Sequence, residues 1–92
     1  MQYTFAWDAE KARRNVDKHG VSFEEAATAF SDPLSRTISD PGHSDSEDRF
    51  ILMGLSRQSR LVVVAYTERG DRLRIITARL ASRRERRQYE EG

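Results

Sequence analysis

Between Arg49 and Ala78 the chain carries three strand-like runs in succession, Arg49 to Ser56, Leu61 to Glu68 and Arg72 to Ala78. Only short turns around Gln58-Ser59 and Gly70-Asp71 separate them. Parallel pairing needs a crossover of about a dozen residues or more, and neither turn has that length, so the runs must form an antiparallel meander. Such a sheet can bury one face and leave the other in solvent. The rest of the chain must supply the layer that covers the buried face.

The upstream residues supply it. Tyr3 to Trp7 alternates aromatic with small or polar residues, which suits a short strand with Tyr3, Phe5 and Trp7 on one face, joining the core. Asp8 stands at an N-cap position, Ala9 to His19 favours helix with Ala12, Val16 and His19 on one side, and Gly20 follows as the stop. Ser22 and Glu25 form a capping box, Val21 is placed to staple against Ala26, and Phe23, Ala26, Ala27 and Phe30 give a second helix its apolar stripe. Ser31-Asp32-Pro33 ends that helix, Leu34 to Ser39 suits a short strand, and Asp40 to Ser46 is dense in turn residues. A second capping box, Ser82 with Glu85, opens a last helix over Arg83 to Glu90, charged almost throughout apart from Tyr89. So little apolar surface docks weakly unless a partner covers it, by adding a strand at an exposed sheet edge or laying a helix there. The order of strand, two helices, four strands and helix predicts an α+β fold, both helices on one face of an antiparallel sheet, in a single domain spanning residues 1–92.

Composition narrows the classes. The chain has no cysteine, which excludes disulfides and thiolate metal sites. Its amino terminus lacks the apolar run of a signal peptide or membrane span, so a cytoplasmic location is expected. The chain is 37% hydrophobic and 34% charged, polar for a globular domain yet apolar enough to fold. The net charge of +1 conceals an asymmetry: residues 1–56 carry 6 Lys and Arg against 10 Asp and Glu, whereas residues 57–92 carry 10 Arg and no Lys against 5 Asp and Glu. Arginine-rich surfaces often pair with Glu as solvated faces. Exclusive use of arginine, whose planar fork matches phosphate and stacks on bases, favours a polyanion partner.

The face away from the helices decides function. In the last strand, alternation sets Leu73, Ile75 and Thr77 against Arg72, Arg74, Ile76 and Ala78. With the preceding strand in register through the Gly70 turn, Tyr66 and Glu68 are expected beside Arg72 and Arg74. That set suits RNA cleavage, which needs a base for the 2′-OH proton, a cation for the phosphorane and an acid for the 5′-O leaving group. Glu68 or His19 is a candidate base, Arg74 and Arg79 candidate phosphoryl ligands, and Tyr66 a candidate stacking or proton-donating group. A cross-strand Glu-Arg ladder with no catalytic role is the plainer account of the same residues.

His19 and His43 are the only histidines, and neither has metal-ligand spacing to a second ligand. No cofactor is expected. His19 also suits a helix C-terminus, and His43, beside Ser44 and Asp45, suits an exposed loop. The chain has no glycine-rich phosphate loop, nucleophile elbow or dinucleotide fingerprint, so any chemistry must run on side chains.

Several segments together resemble the BrnT family of type II toxins: Phe5-Ala6-Trp7-Asp8, Asn15 with Lys18 to Ala26, and Phe30 to Pro33. The likeness continues through Asp48-Arg49-Phe50, Gly54-Leu55-Ser56, Thr67-Glu68-Arg69, Arg74 to Arg79, and Arg84-Glu85-Arg86 with Tyr89, covering nearly the whole chain. The resemblance implies a RelE-like fold and a metal-independent endoribonuclease that arrests translation. It also implies neutralisation by a BrnA-like antitoxin, whose ribbon-helix-helix domain would bind operator DNA, in a complex of two toxins with two antitoxins. Carried onto this sequence, the family motif points to Glu68, Arg69, Arg74 and Arg79, with Lys18 and His19 nearby. Lys18, Arg69, Arg72 and Arg83 are the expected RNA contacts. RelE-type sites often include lysines, and this sheet is short of them, so the general base is not assigned. The competing class is a non-catalytic binding module in which the same arginines hold RNA or an acidic partner.

Overall fold

The structure, a computed structural model, describes residues 3–39 and 49–92. The turn-rich stretch from Asp40 to Ser46, with His43, lies outside them. In chain order the elements are β1 (Thr4–Ala6), α1 (Ala9–His19), α2 (Phe23–Thr28) running into a 3₁₀ turn (Ala29–Ser31), β2 (Arg36–Ser39), β3 (Arg49–Leu55), β4 (Leu61–Arg69), β5 (Arg72–Leu80) and α3 (Arg83–Glu91). The sheet order is β1-β5-β4-β3-β2, with β2 to β5 antiparallel as the short turns require. β1 instead pairs with β5 in parallel, Phe5 opposite Leu73, because the two helices following it carry the chain across one sheet face. Among the described residues no helix is long and apolar enough to cross a membrane.

The helices begin and end where local chemistry dictates. Asp8 Oδ1 accepts from the amides of Glu10 (2.8 Å) and Lys11 (3.2 Å), and Gly20, at φ 71°, donates its amide to the Val16 carbonyl at 2.8 Å. Ser22 caps α2 by accepting from the Glu25 amide at 2.9 Å. The core packs Val21, Phe23, Ala26 and Ala29 of the helical layer against Leu52, Val62, Val64, Tyr66, Leu73 and Ile75 of the sheet. Gly54 lets β3 pass beneath the 3₁₀ turn: a Cβ there would stand 2.8 Å from the Ala29 carbonyl oxygen.

Two expected core assignments change. Tyr3 remains 45% exposed, its ring set against those of Phe5 and Phe30. On α1, Val16 is 45% exposed and buried Asn15 takes the inward position. The reason lies in the sheet edge. β1 stops at Ala6, so the outer edge of β5 beyond Arg74 has no strand partner. Asn15 supplies one: its Nδ2 donates to the Ala78 carbonyl (2.7 Å) and the Val21 carbonyl (2.8 Å), and its Oδ1 accepts from the Ala78 amide (3.2 Å). One carboxamide therefore does for Ala78 what a neighbouring strand would.

A buried carboxylate closes the other end. Glu25, 4% exposed, accepts from Ser56 Oγ (2.8 Å) and from Arg60 Nε (2.9 Å) and Nη2, while the same Arg60 Nη2 donates to the Gly20 carbonyl at 2.9 Å. The Arg60 guanidinium, aided by the Ser56 hydroxyl, holds the Glu25 carboxyl below its ordinary range against the opposing effect of burial. The β3–β4 turn is thereby tied to the junction between α1 and α2.

Asn15→Ala leaves an amide and two carbonyls without partners in a buried site and is expected to cost about 2–4 kcal/mol, a Tm drop of roughly 10–25 °C. Asn15→Asp, which cannot donate to either carbonyl when ionised, is expected to be no better than Ala. Thermal unfolding followed by circular dichroism checks both, and an unchanged Tm would refute the clamp.

Candidate nucleic-acid interface

The two-residue turn Gly70-Asp71 sets which side chains share a face. It pairs Arg69 with Arg72, Glu68 with Leu73, Thr67 with Arg74 and Tyr66 with Ile75. Tyr66 and Glu68 therefore stand on the face of Leu73 and Ile75, opposite the arginines, which corrects the expectation that they accompany Arg72 and Arg74. Tyr66 is 5% exposed, stacked on Phe50 at 5.6 Å and edge-on to Phe30 at 4.9 Å. Burial pushes its phenol up. Glu68 is exposed beyond the helical layer.

A second correction comes from a bulge. The register slips between Ala65 and Tyr66, whose partners are Thr77 and Ile75, so Ile76 is the extra residue. The slip inverts the expected alternation from that point: Ala78 turns into the core, while Thr77 and Arg79 turn to the open face. Without it, Arg79 would point at the helices.

The open face then reads in rows across the sheet. Arg49, Thr67 and Arg74 form one row across β3, β4 and β5, with Thr67 between the two arginines; Ile51, Ala65 and Thr77 form the next row, and Met53, Val63 and Arg79 the third. Arg69 and Arg72 flank each other at the hairpin end. A slot of about 250 Å³ runs over this surface between Arg49 and Arg79, floored by Ile51, Val63, Ala65 and Thr77. At Thr77 it meets a groove of about 310 Å³ against α1, where Lys11, Arg14, Lys18 and His19 face Ile76. His19 is half-buried and Lys18 exposed, so both join the basic wall although they belong to the helical layer. At Ile51 and Val63 the slot meets a larger groove of about 530 Å³ beneath α3. Arg49, Thr67 and Thr77 were missed in the sequence; counting pairs outward from the two tight turns would have found Arg49 and Thr67, and only the bulge brings in Thr77.

α3 is held by two polar ties. Arg79 donates Nη1 and Nη2 to the two carboxylate oxygens of Glu85 at 2.8 and 2.9 Å, and Glu85 also accepts from the Ser82 amide at 2.8 Å in the capping box. The Arg79 fork is thus already engaged. Tyr89 donates its hydroxyl to Asp32 Oδ2 at 2.6 Å, and Asp32 also accepts from the amides of Leu55 and Leu34. Burial raises the Asp32 carboxyl, but the three donors together outweigh it and bring it below its ordinary range. The same carboxylate pushes Tyr89 up to about 12. Arg83 stands exposed at the start of α3. Among the described residues no cluster of three or more His, Asp or Glu could hold a metal ion.

The Arg79 contact lowers the Glu85 carboxyl to about 2, from an ordinary 4.5. A depressed carboxylate stabilises above its unfolded value and ceases to as pH falls through the folded one, so this tie is at full strength above about pH 4.5 and lost toward pH 2. For a bidentate but partly exposed pair the loss is about 1 kcal/mol. The Arg79 Nε–H and Ser82 amide NMR signals are expected to move together across that range, and Glu85→Gln is expected to flatten both profiles.

A family model for the ribonuclease toxin BrnT of type II toxin-antitoxin systems matches residues 7–85. Among solved structures, the 1.1 Å crystal structure of the Brucella abortus ribonuclease toxin BrnT superposes with a TM-score of 0.64 at 24% identity, covering 89% of this chain and 100% of that one. At that identity the likeness speaks for the fold. No curated protein matches the chain significantly. With the family match spanning most of its length, and with two helices on one face of a RelE-like sheet, the chain belongs to the BrnT family of ribonuclease toxins of type II toxin-antitoxin systems.

Proposed function

We propose that this chain is a metal-independent endoribonuclease that acts in the cytoplasm to arrest translation and is neutralised by a BrnA-like antitoxin with a ribbon-helix-helix domain, in a complex of two toxins with two antitoxins. One observation carries the catalytic reading: a sheet face left open by the helices, where Arg49 on β3 and Arg79 on β5 border a slot with a largely apolar floor and Arg74 stands in the same row as Arg49. Such a floor suits a base or ribose, and the arginines suit the phosphodiester. Arg74 and Arg79 would hold the phosphoryl oxygens and stabilise the charge of the phosphorane, with Arg79 oriented by Glu85. Lys18, Arg69, Arg72 and Arg83 would extend the contact along the strand.

Of the three side chains expected to move protons, Glu68, His19 and Tyr66, one is kept. Tyr66 and Glu68 lie on the other face, so His19, whose groove shares Thr77 with the slot, is the side chain proposed to move the proton. A binding-only role has one specific observation in its favour: the Arg79 fork is already satisfied by Glu85, as in a purely structural ion pair.

The test is incubation of the purified chain with total RNA in EDTA. The parent is expected to cleave, with Arg74→Ala and His19→Gln each slowing cleavage by about a hundredfold at unchanged Tm. Cleavage that needs an added divalent metal would remove the metal-independent reading. Folded parent that binds RNA without cutting it, alone or with ribosomes, would favour the binding module.

A further inference from the structure

Thr67 is buried at 4% exposure, and its hydroxyl oxygen has no hydrogen-bond partner. A buried hydroxyl without a partner destabilises a fold, and most polar atoms so deeply placed are satisfied. β-Branched valine has nearly the same shape, suits a strand equally well and carries no such cost. The position of the hydroxyl offers a reason for its presence. Thr67 lies on the open face, directly opposite Arg49 on one neighbouring strand and Arg74 on the other, where side chains start about 4.5–5.5 Å apart. Both arginines are half-buried. Arg74 also stands close enough to Asp8 to add, as the smallest contribution after the Lys11 and Glu10 amides and the Lys11 charge, to holding that carboxyl down. Neither flanking side chain can accept the hydroxyl proton, since guanidiniums only donate. An anion entering between them would provide an acceptor.

We infer that Thr67, Arg49 and Arg74 form a phosphodiester-binding site in which the Thr67 hydroxyl donates to a phosphoryl oxygen held on either side by the two guanidiniums. The site needs the arginine side chains to part, a rotamer change of their flexible stems. It extends the RNA-binding reading above by naming a donor within the sheet, and it requires that a phosphodiester bind, not that it be cleaved.

The experiment pairs Thr67→Val with Thr67→Ser and reads stability and binding separately. The probe is fluorescein-labelled hexathymidylate, which has phosphodiesters but no 2′-OH to react, titrated by anisotropy at low salt. Thr67→Val is expected to raise Tm by about 4 °C or more, because the unpartnered hydroxyl is gone, and to weaken probe binding about tenfold or more. Thr67→Ser is expected to restore binding to within about threefold of the parent. Binding unchanged in Thr67→Val would overturn the site, and a lowered Tm would show that the hydroxyl serves the fold instead. Cleavage of RNA measured in parallel separates the two readings: a parent that binds the probe but cuts nothing defeats the ribonuclease reading and leaves this site standing.

Discussion

Almost every feature of the open face depends on the pairing of β4 with β5. A turn of two residues admits one register, and that register decides that Thr67, and not Tyr66, stands among the arginines. The bulge at Ile76 then works as a switch of parity partway along the strand. Before it, the odd-numbered residues of β5 are buried; after it, they face outward. A strand that began by burying Leu73 and Ile75 can therefore end by presenting Thr77 and Arg79 to solvent while still burying Ala78. The slot between Arg49 and Arg79 exists because of that one extra residue.

Beyond Arg74, where β1 ends, the outer edge of β5 has no strand partner, and the clamp from Asn15 is the answer to it. Helix α1 is tethered to the sheet at Ala78 by hydrogen bonds, with Ala12, Phe5 and Trp7 adding apolar contact around it. This attachment fixes where Lys18 and His19 sit relative to Thr77, so a structural carboxamide positions the basic wall of the candidate site. The same economy appears at α3, where Arg79 and Asp32 hold a helix that buries almost nothing of its own.

The sequence disclosed the elements well because each carries local signals: Asp8 and Gly20 bound α1 as expected, Ser82 and Glu85 form the expected capping box, and the strands begin within a residue or two of their expected starts. At α2 only half of the expected box forms, since Ser22 caps the helix while the Glu25 carboxylate turns to Ser56 and Arg60. The α+β class followed from the order of elements. What alternation alone could not supply was a bulge, which leaves no mark in a run such as Ile75-Ile76-Thr77-Ala78 where both faces carry apolar residues. The misplacement of Tyr66 and Glu68 had a different origin, since pairing outward from Gly70-Asp71 puts even-numbered residues opposite odd-numbered ones. The parallel pairing of β1 and the inward turn of Asn15 are tertiary facts, and a polar residue on a helix gives no sign that a strand edge awaits it. Arg74 and Arg79 were found from chemistry, and His19 from its chemistry and family likeness, before the geometry that links it to the slot.

The absence of lysine after Lys18 has a chemical corollary. A guanidinium keeps its proton at any pH a cell experiences and is not a substrate for acetylation, whereas an ammonium can lose its charge by either route. The sheet-borne half of the cationic surface is therefore permanent. The half on α1, which holds Lys11 and Lys18, the only side-chain amines in the whole chain, is the part whose charge can be reduced. Covalent amine chemistry would accordingly thin one wall of the cleft, leaving Arg14 there, and would not touch the other, dividing by reactivity a surface that electrostatics alone presents as continuous.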